Sequence, residues 1–130
     1  MTDKEQIESI IKDNCNADYN KGMVHMHDDC VFIRPSGNPL SKTAWKEMMT
    51  SSDVDVKSNN LLKIIKLSIN NNMAYACYIS HSEFQYKNSM NNDVAVFTSI
   101  FEKVDGKWMT VHGHRSTGRS PTDAMSLLAE

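Results

Sequence analysis

The chain has 130 residues, of which 40% are hydrophobic and 23% charged, and its formal net charge is −2; these values suit one globular domain, predicted over residues 1–130. Without a cluster of Lys and Arg there is no electrostatic reason to expect nucleic acid or an anionic membrane as a partner. There is no apolar run of about 18 residues or more, no apolar signal-peptide core and no paired cysteine motif, so we expect no transmembrane helix, reduced thiols and a cytoplasmic location.

The first part of the chain is predicted to form two helices. Apolar residues alternate with charges at helical spacing over 3–17, and Thr2 or Asp3 can cap this helix. Asp18 can cap a second, shorter helix that runs to about His27. The apolar positions of the first helix are Ile7, Ile10, Ile11 and Cys15.

A strand and a third helix follow. The strand covers 30–34 and ends at Pro35, where a turn rich in Ser, Gly and Pro begins. Ser41 is the expected cap of a short helix over 41–49. Its apolar side consists of Ala44, Trp45, Met48 and Met49.

The remaining sequence changes from helical spacing to alternation and predicts four strands joined by short turns. The turns are "NNN" at 70–72, "KNSMNN" at 87–92 and the hairpin pair "DG" at 105–106. The tail, 117–130, is polar and predicted to be peripheral, with at most a weak terminal helix. The four strands are predicted at 61–70, 73–86, 93–104 and 107–116.

This order of elements predicts an α+β fold. Helices that precede a run of antiparallel strands pack on one face of the sheet. A strongly curved sheet wrapped over a helix leaves a cavity between the two, and such cavities are where ligands bind.

Several segments also resemble a known family. They are "DGKWMTVHGHRS" at 105–116, "NADY" at 16–19, "VFIRP" at 31–35 and "AYACYIS" at 74–80. Together they resemble the nuclear transport factor 2-like, or SnoaL-like, superfamily, and within it the association (hub) domain of calcium/calmodulin-dependent protein kinase II. The chain has no kinase region.

The resemblance implies a cone-shaped, curved antiparallel sheet wrapped over N-terminal helices, a cystatin-like α+β roll. It also implies self-association as a homodimer or larger ring, with the outer sheet face as the interface. In the hub family an arginine matching Arg115 points into the pocket, and further arginines match Ser80 and Ser99 here. An intact arginine cluster is therefore not expected, although Arg34 could partly replace it.

Alternation on the last strand predicts which face of the sheet carries Arg115. One face carries Met109, Val111, Gly113 and Arg115 and suits the inside of the cone, whereas the other carries Trp108, Thr110, His112, His114 and Ser116. A guanidinium inside a partly dry cavity needs a partner. Two interpretations stay open: Arg115 binds an anionic ligand, or it forms a structural ion pair with an acidic residue of the first helix.

The middle strands supply further candidate pocket residues. Tyr78, Ser80, Ser82 and Phe84 share one face, and Ala95, Phe97, Ser99 and Phe101 share another, although core packing alone would give a similar pattern. Arg34 is expected to approach from the opposite wall. The predicted ligand-binding residues are Arg115, Arg34, Ser99, Ser80, Tyr78 and Phe97.

Metal binding and catalysis have weaker support. His112 and His114 lack an evident third ligand, and "HMHDD" at 25–29 is interpreted as helix-end and turn residues, so no metal or cofactor is expected. Steroid isomerases of this superfamily have a basic aspartate where this chain has Arg34, and an arginine cannot act as a general base at neutral pH. No catalytic residue is assigned.

The preferred hypothesis is a stand-alone binding and oligomerisation module that holds a small anionic ligand, such as a carboxylate. The alternative is a SnoaL-type enzyme: an isomerase, a cyclase, a dehydratase or a metal-free hydratase such as a carbonic anhydrase. A fold that binds no ligand is a third possibility. An outward-facing Trp108, with Thr110 and His112, is the predicted dimer surface.

Overall fold

A computed structural model describes residues 1–124 and places three helices where the sequence predicts them. They are α1 (Asp3–Asn14), α2 (Tyr19–Met23) and α3 (Lys42–Thr50). α1 begins in a capping box, in which the Thr2 hydroxyl accepts from the Glu5 N–H and the Glu5 carboxylate accepts from the Thr2 N–H. Asp18 and Ser41 cap the other two helices, as predicted.

The sheet has six strands in the order β2-β1-β6-β5-β4-β3. All neighbours are antiparallel except β1 and β6, which are parallel, and the α+β class is confirmed. The strands are β1 (Met26–Ile33), β2 (Pro39–Ser41), β3 (Val54–Asn70), β4 (Met73–Tyr86), β5 (Ser89–Val104) and β6 (Lys107–Arg115).

The boundaries differ from the prediction where a strand has a weak local pattern. β1 begins at Met26, which shortens the second helix, and β2 was not predicted at all. The polar start of β3, from Val54, pairs with the end of β4, and β5 begins at Ser89 because the turn before it is tight. Lys87 adopts φ 55° in that turn, and Asp105 and Gly106 adopt φ 51° and 79° in the last one.

The core lies between α1 and the concave face of the sheet. Ile7, Ile10 and Ile11 of α1 pack on buried residues of three strands, including Tyr78 and Trp108. The Trp108 indole N–H donates to the Asp3 carboxylate at 3.0 Å. The last residues of α1, Asp13 and Asn14, line the cavity that remains.

A bulge in β6 changes which residues face inward. Ile100 pairs with His112 and Phe101 with Thr110, so Val111 is an extra residue in β6. Trp108 and Thr110 are consequently buried on the inner side, together with Gly113 and Arg115. The predicted outward position of Trp108 and Thr110 is wrong, because alternation was assumed to continue unbroken through Val111.

The segment after β6 stays on the sheet. Ser116 exchanges two hydrogen bonds with the Val96 backbone, and Arg119 pairs with Val94. Ala124 is buried against Ile79 and Val94. The predicted terminal helix reaches into residues outside the described range, 1–124. Within that range no helix has the length and apolarity needed to cross a bilayer.

Candidate functional site

A cavity of about 440 Å³ lies between the concave face of the sheet and the helices. Its walls come from strands of the sheet, from the end of α1 and from α3, which contributes Trp45, Met48 and Met49. All six residues predicted to bind a ligand line it. They are Arg34, Tyr78, Ser80, Phe97, Ser99 and Arg115.

Arg115 occupies the end of the cavity that we call the mouth, defined by Arg34, Phe84, Tyr86 and Arg115. Its side chain is 16% exposed, and one guanidinium nitrogen lies 3.4 Å from the Asp93 carboxylate. The guanidinium carbon lies 5.7 Å from the centre of the Phe84 ring. Burial lowers the pKa of Arg115, and the charge and hydrogen bond of Asp93 partly offset this. The ion-pair partner is a residue of β5, not an acidic residue of the first helix.

Arg34 stands beside Arg115 rather than on an opposite wall. β1 runs parallel to β6 with Ile33 paired to His114, so Arg34 and Arg115 come next in register. The Arg34 guanidinium lies 5.6 Å from the centre of the Tyr86 ring. Hydrogen bonding to Arg34, with the charges of Arg34 and Lys87, lowers the pKa of Tyr86. Two cationic groups thus flank the mouth.

The opposite end, which we call the floor, is lined by Asp13, Asn14, Tyr78, Ser99 and Thr110. The Tyr78 and Ser99 hydroxyls share a hydrogen bond of 2.9 Å. The Tyr78 ring stacks on Phe97 with centroids 5.4 Å apart and planes 3° apart. Burial raises the pKa of Tyr78 well above its ordinary range. The Tyr78 hydroxyl is therefore a neutral hydrogen-bonding group and not a phenolate.

Two residues that line the cavity each contain a buried polar atom with no hydrogen-bond partner within residues 1–124. These atoms are the hydroxyl oxygen of Thr110 and the amide oxygen of Asn59. An unpaired buried polar atom carries a desolvation cost of about 1–3 kcal/mol. Neither residue is predicted from the sequence, because alternation places Thr110 on the outer face and Asn59 precedes the predicted start of its strand.

An acid–base pair also reaches the cavity. The imidazole of His25 lies 2.7 Å from the carboxylate of Asp13, and Asp13 lines the wall. His25 belongs to the "HMHDD" segment interpreted as helix-end and turn residues, most of which instead forms the start of β1. No spacing rule links Asp13 to His25, since the two meet only when α2 folds back along α1. The described residues contain no group of three or more His, Cys, Asp or Glu that could hold a metal.

The Phe32 ring occupies the space beside Gly113. A side chain at Gly113 would meet the Phe32 ring at 2.8 Å, so the absent side chain accommodates Phe32. The Phe32 ring in turn lines the cavity. Gly113 therefore shapes the wall indirectly, by the close approach of β1 to β6.

Cysteine chemistry at neutral pH is disfavoured in the wall. Cys30 lines the cavity, and burial raises its pKa to about 11. Burial raises the pKa of Cys15 to about 12. Cys77 is only half-buried. The thiols of Cys15 and Cys30 are therefore protonated and unreactive.

The fold is that of the nuclear transport factor 2-like (NTF2-like) proteins. A crystal structure of an NTF2-like protein of unknown function from Prochlorococcus sp. NATL2A has 33% identity and a TM-score of 0.84, with 95% of this chain and 98% of that chain covered. An NTF2-like protein with a cystatin-like fold from Novosphingobium aromaticivorans has 13% identity and a TM-score of 0.69 over 98% and 89% of the two chains. The kinase hub homology domain of Chlamydomonas reinhardtii has 16% identity and a TM-score of 0.68 over 91% and 100%.

Residues 2–127 match the family described as proteins of unknown function DUF3804, and the chain belongs to that family. No curated protein sequence matches the chain. The predicted resemblance to the NTF2-like superfamily and its kinase hub domains is confirmed at the level of fold.

Proposed function

We propose that this protein is a small-molecule binding and self-association module whose cavity holds a small carboxylate at Arg115. The observation that carries the proposal is the state of the Arg115 guanidinium. It is largely buried, lines the cavity and has one carboxylate contact at 3.4 Å, longer than a charge-assisted hydrogen bond of about 2.7–2.9 Å. Arginine offers five N–H donors, so capacity for an anion is left over.

The surroundings of Arg115 support an amphipathic ligand. Arg34 adds a second positive charge at the mouth and has no carboxylate partner within residues 1–124. An anion between two neighbouring cations relieves their repulsion. The rest of the wall is largely apolar and includes Trp45, Met48 and Phe97, which suit a hydrocarbon or aromatic body. Ser80, buried on the same wall, supplies a further hydroxyl.

Arg115→Ala is the direct test, with phenylacetate as the probe and uncharged phenylacetamide as the matched ligand control. We expect titration calorimetry to show wild type binding phenylacetate better than the amide. Because a hydrogen bond to a charged group contributes about 1.5–3 kcal/mol, Arg115→Ala should weaken phenylacetate binding at least about tenfold. Arg119→Ala, which removes an exposed arginine beyond β6, should leave binding unchanged.

Asp93→Asn separates ligand binding from a scaffold role of the same ion pair. If Asp93 competes with the ligand for Arg115, this variant should bind phenylacetate at least as tightly as wild type. If the pair is only structural, Arg115→Ala and Asp93→Asn will both lower the melting temperature strongly, and wild type will respond to no carboxylate. That second outcome would leave Arg115 as part of the scaffold.

Self-association is the second part of the proposal. Trp108 is buried and cannot form the predicted dimer surface. Self-association is supported instead by the exposed apolar residues Leu62, Ile65 and Tyr75 on the face of the sheet away from the cavity. The kinase hub neighbours have the same fold, which adds an analogy. Light scattering should show a dimer or larger ring that Ile65→Glu dissociates, whereas Val24→Glu, an exposed apolar position at the end of α2, should not. A monomeric wild type at micromolar concentration would end this part.

A small-molecule enzyme of the SnoaL type is the second candidate, and the Asp13–His25 pair is what favours it. A carboxylate hydrogen-bonded to an imidazole and open to the cavity can move a proton to or from a bound ligand. An enzyme would change the mass or connectivity of its ligand, which a binding module would not. Mass spectrometry and NMR of a carboxylate recovered from wild type and from Asp13→Asn distinguish the two.

A further inference from the structure

We propose that the floor of the cavity is a second recognition subsite, in which Thr110 binds a hydroxyl group at the end of the ligand remote from its carboxylate. This rests on the proposed carboxylate binding at the mouth and specifies the class of ligand. The ligand would be a hydroxylated carboxylate with an apolar body. The mouth would thus bind the carboxylate end of the ligand, and the floor would bind its hydroxyl end.

The starting observation is the burial of an unsatisfied hydroxyl. Thr110 is 6% exposed, lines the cavity and has a hydroxyl oxygen without a partner within residues 1–124. Its backbone N–H is engaged, since it donates to the His25 carbonyl at 2.8 Å. The side-chain hydroxyl is the group of Thr110 that we propose for the ligand.

The other polar groups of the floor are already engaged. Tyr78 and Ser99 bond each other, and Asp13 bonds His25. Thr110 pairs with Phe101 of β5, and Ser99 is the next inward-facing residue of β5, so Thr110 and Ser99 are diagonal neighbours on the inner face of the sheet. Because a threonine hydroxyl both donates and accepts, a ligand hydroxyl complements it in either direction.

The charge at the floor selects against a second carboxylate. Asp13 lines this end of the cavity, and its partner His25 is tied by its backbone to Thr110. A ligand carboxylate near Asp13 would meet a like charge, which is disfavoured in a partly buried site. The arginines stand at the mouth, so the cavity is asymmetric and orients its ligand with the carboxylate outward and the hydroxyl inward.

The volume and lining of the cavity determine which small molecules are suitable probes of the floor. A cavity of about 440 Å³ falls within the range of roughly 300–1,000 Å³ typical of small-molecule sites. Its stacked Tyr78 and Phe97 rings suit an aromatic body. Suitable matched pairs are phenylacetate, phenylpropanoate and phenylbutanoate, each with its para-hydroxy derivative, which increase the reach from mouth to floor.

The experiment is calorimetric titration of wild type, Thr110→Val and Thr110→Ser with these pairs. For at least one chain length, wild type should bind the hydroxylated probe about threefold to tenfold more tightly, as one added hydrogen bond implies. Thr110→Val should erase that preference while plain carboxylates still bind, and Thr110→Ser should retain it. Thr98→Val, on the exposed outer face of β5, is the matched control and should change nothing.

The outcomes separate this subsite from the carboxylate site. Equal binding of every pair, or an unchanged preference in Thr110→Val, overturns the floor subsite and leaves the mouth intact. If no carboxylate binds but para-ethylphenol does, with loss in Thr110→Val, the floor stands and the proposed carboxylate site falls. If no probe binds at all, both fall. A para-carboxy derivative that binds as well as the para-hydroxy one contradicts the asymmetry.

Discussion

Tyr78 and Tyr86 line the same cavity from the same strand, yet their surroundings shift their pKa values in opposite directions. At the floor, burial dominates and raises the pKa of Tyr78, although hydrogen bonds from Ser99 and Asn14 act against it. At the mouth, the hydrogen bond and charge of Arg34 dominate and lower the pKa of Tyr86. Desolvation therefore dominates the shift at Tyr78, whereas the hydrogen bond and charge of Arg34 dominate the shift at Tyr86.

The same contrast explains why we propose the anion site at the mouth. At the floor, neutral hydroxyls bond each other and a carboxylate is held by a histidine, so an added negative charge finds no compensation. At the mouth, two guanidinium groups lie against aromatic rings and keep unused donors. Packing therefore places mutually bonded neutral hydroxyls and a histidine-bonded carboxylate at one end and two guanidinium groups at the other.

The largest expected effect compares the free energy of unfolding lost in the core under α1 with that lost at the mouth. Trp108→Ala removes a side chain that is 2% exposed, packs on α1 and donates to Asp3, so we expect a loss of about 3–5 kcal/mol in the free energy of unfolding. Tyr86→Ala at the mouth should cost much less, because the residue is only partly buried. Urea denaturation of both variants measures the difference. Equal losses would contradict the division into a structural core and an adaptable mouth.

The sequence predicted the regular part of this architecture. β4 and β5 pair without a register shift, so alternation correctly placed Tyr78, Ser80, Phe97 and Ser99 on one inner wall. The N-caps at Asp18 and Ser41 were predicted because a capping side chain acts on the next few residues. Alternation and capping rules thus predict side-chain positions correctly where a strand has no bulge and where the capping partner lies within a few residues.

The failures have a physical cause in common. A bulge is a property of two paired strands, so the extra residue Val111 cannot be read from β6 alone, and Trp108 and Thr110 were placed on the wrong face. The Asp13–His25 and Arg115–Asp93 pairs join residues far apart in sequence, which periodicity does not address. The unpredicted residues are therefore those whose partners come from tertiary contacts.

The smallest expected effect is a pH dependence that isolates Tyr78. Its folded-state pKa lies above its unfolded value of about 10, so the protonated phenol stabilises the fold fully below that pH. As the pH rises above about 10, the unfolded chain loses the proton first, and the free energy of unfolding must fall. Tyr78→Phe cannot ionise, so its free energy of unfolding should fall less than that of wild type over the same alkaline range. Urea denaturation from neutral pH to above about pH 10 checks this.

Tyr86→Phe provides the opposite sign and is the matched control. The folded-state pKa of Tyr86 is lowered, so its ionisation favours the folded protein as the pH rises towards the unfolded value. Removing it should make the alkaline loss of stability slightly steeper than in wild type, and absorbance titration should show that the most acidic tyrosine has disappeared. Arg34→Ala should shift that ionisation to higher pH, because it removes the main cause of the lowering. If Arg34→Ala leaves the titration unchanged, Arg34 does not lower the pKa of Tyr86. The contrast between Tyr78 and Tyr86 would then be wrong, and so would its use in support of an anion site at the mouth.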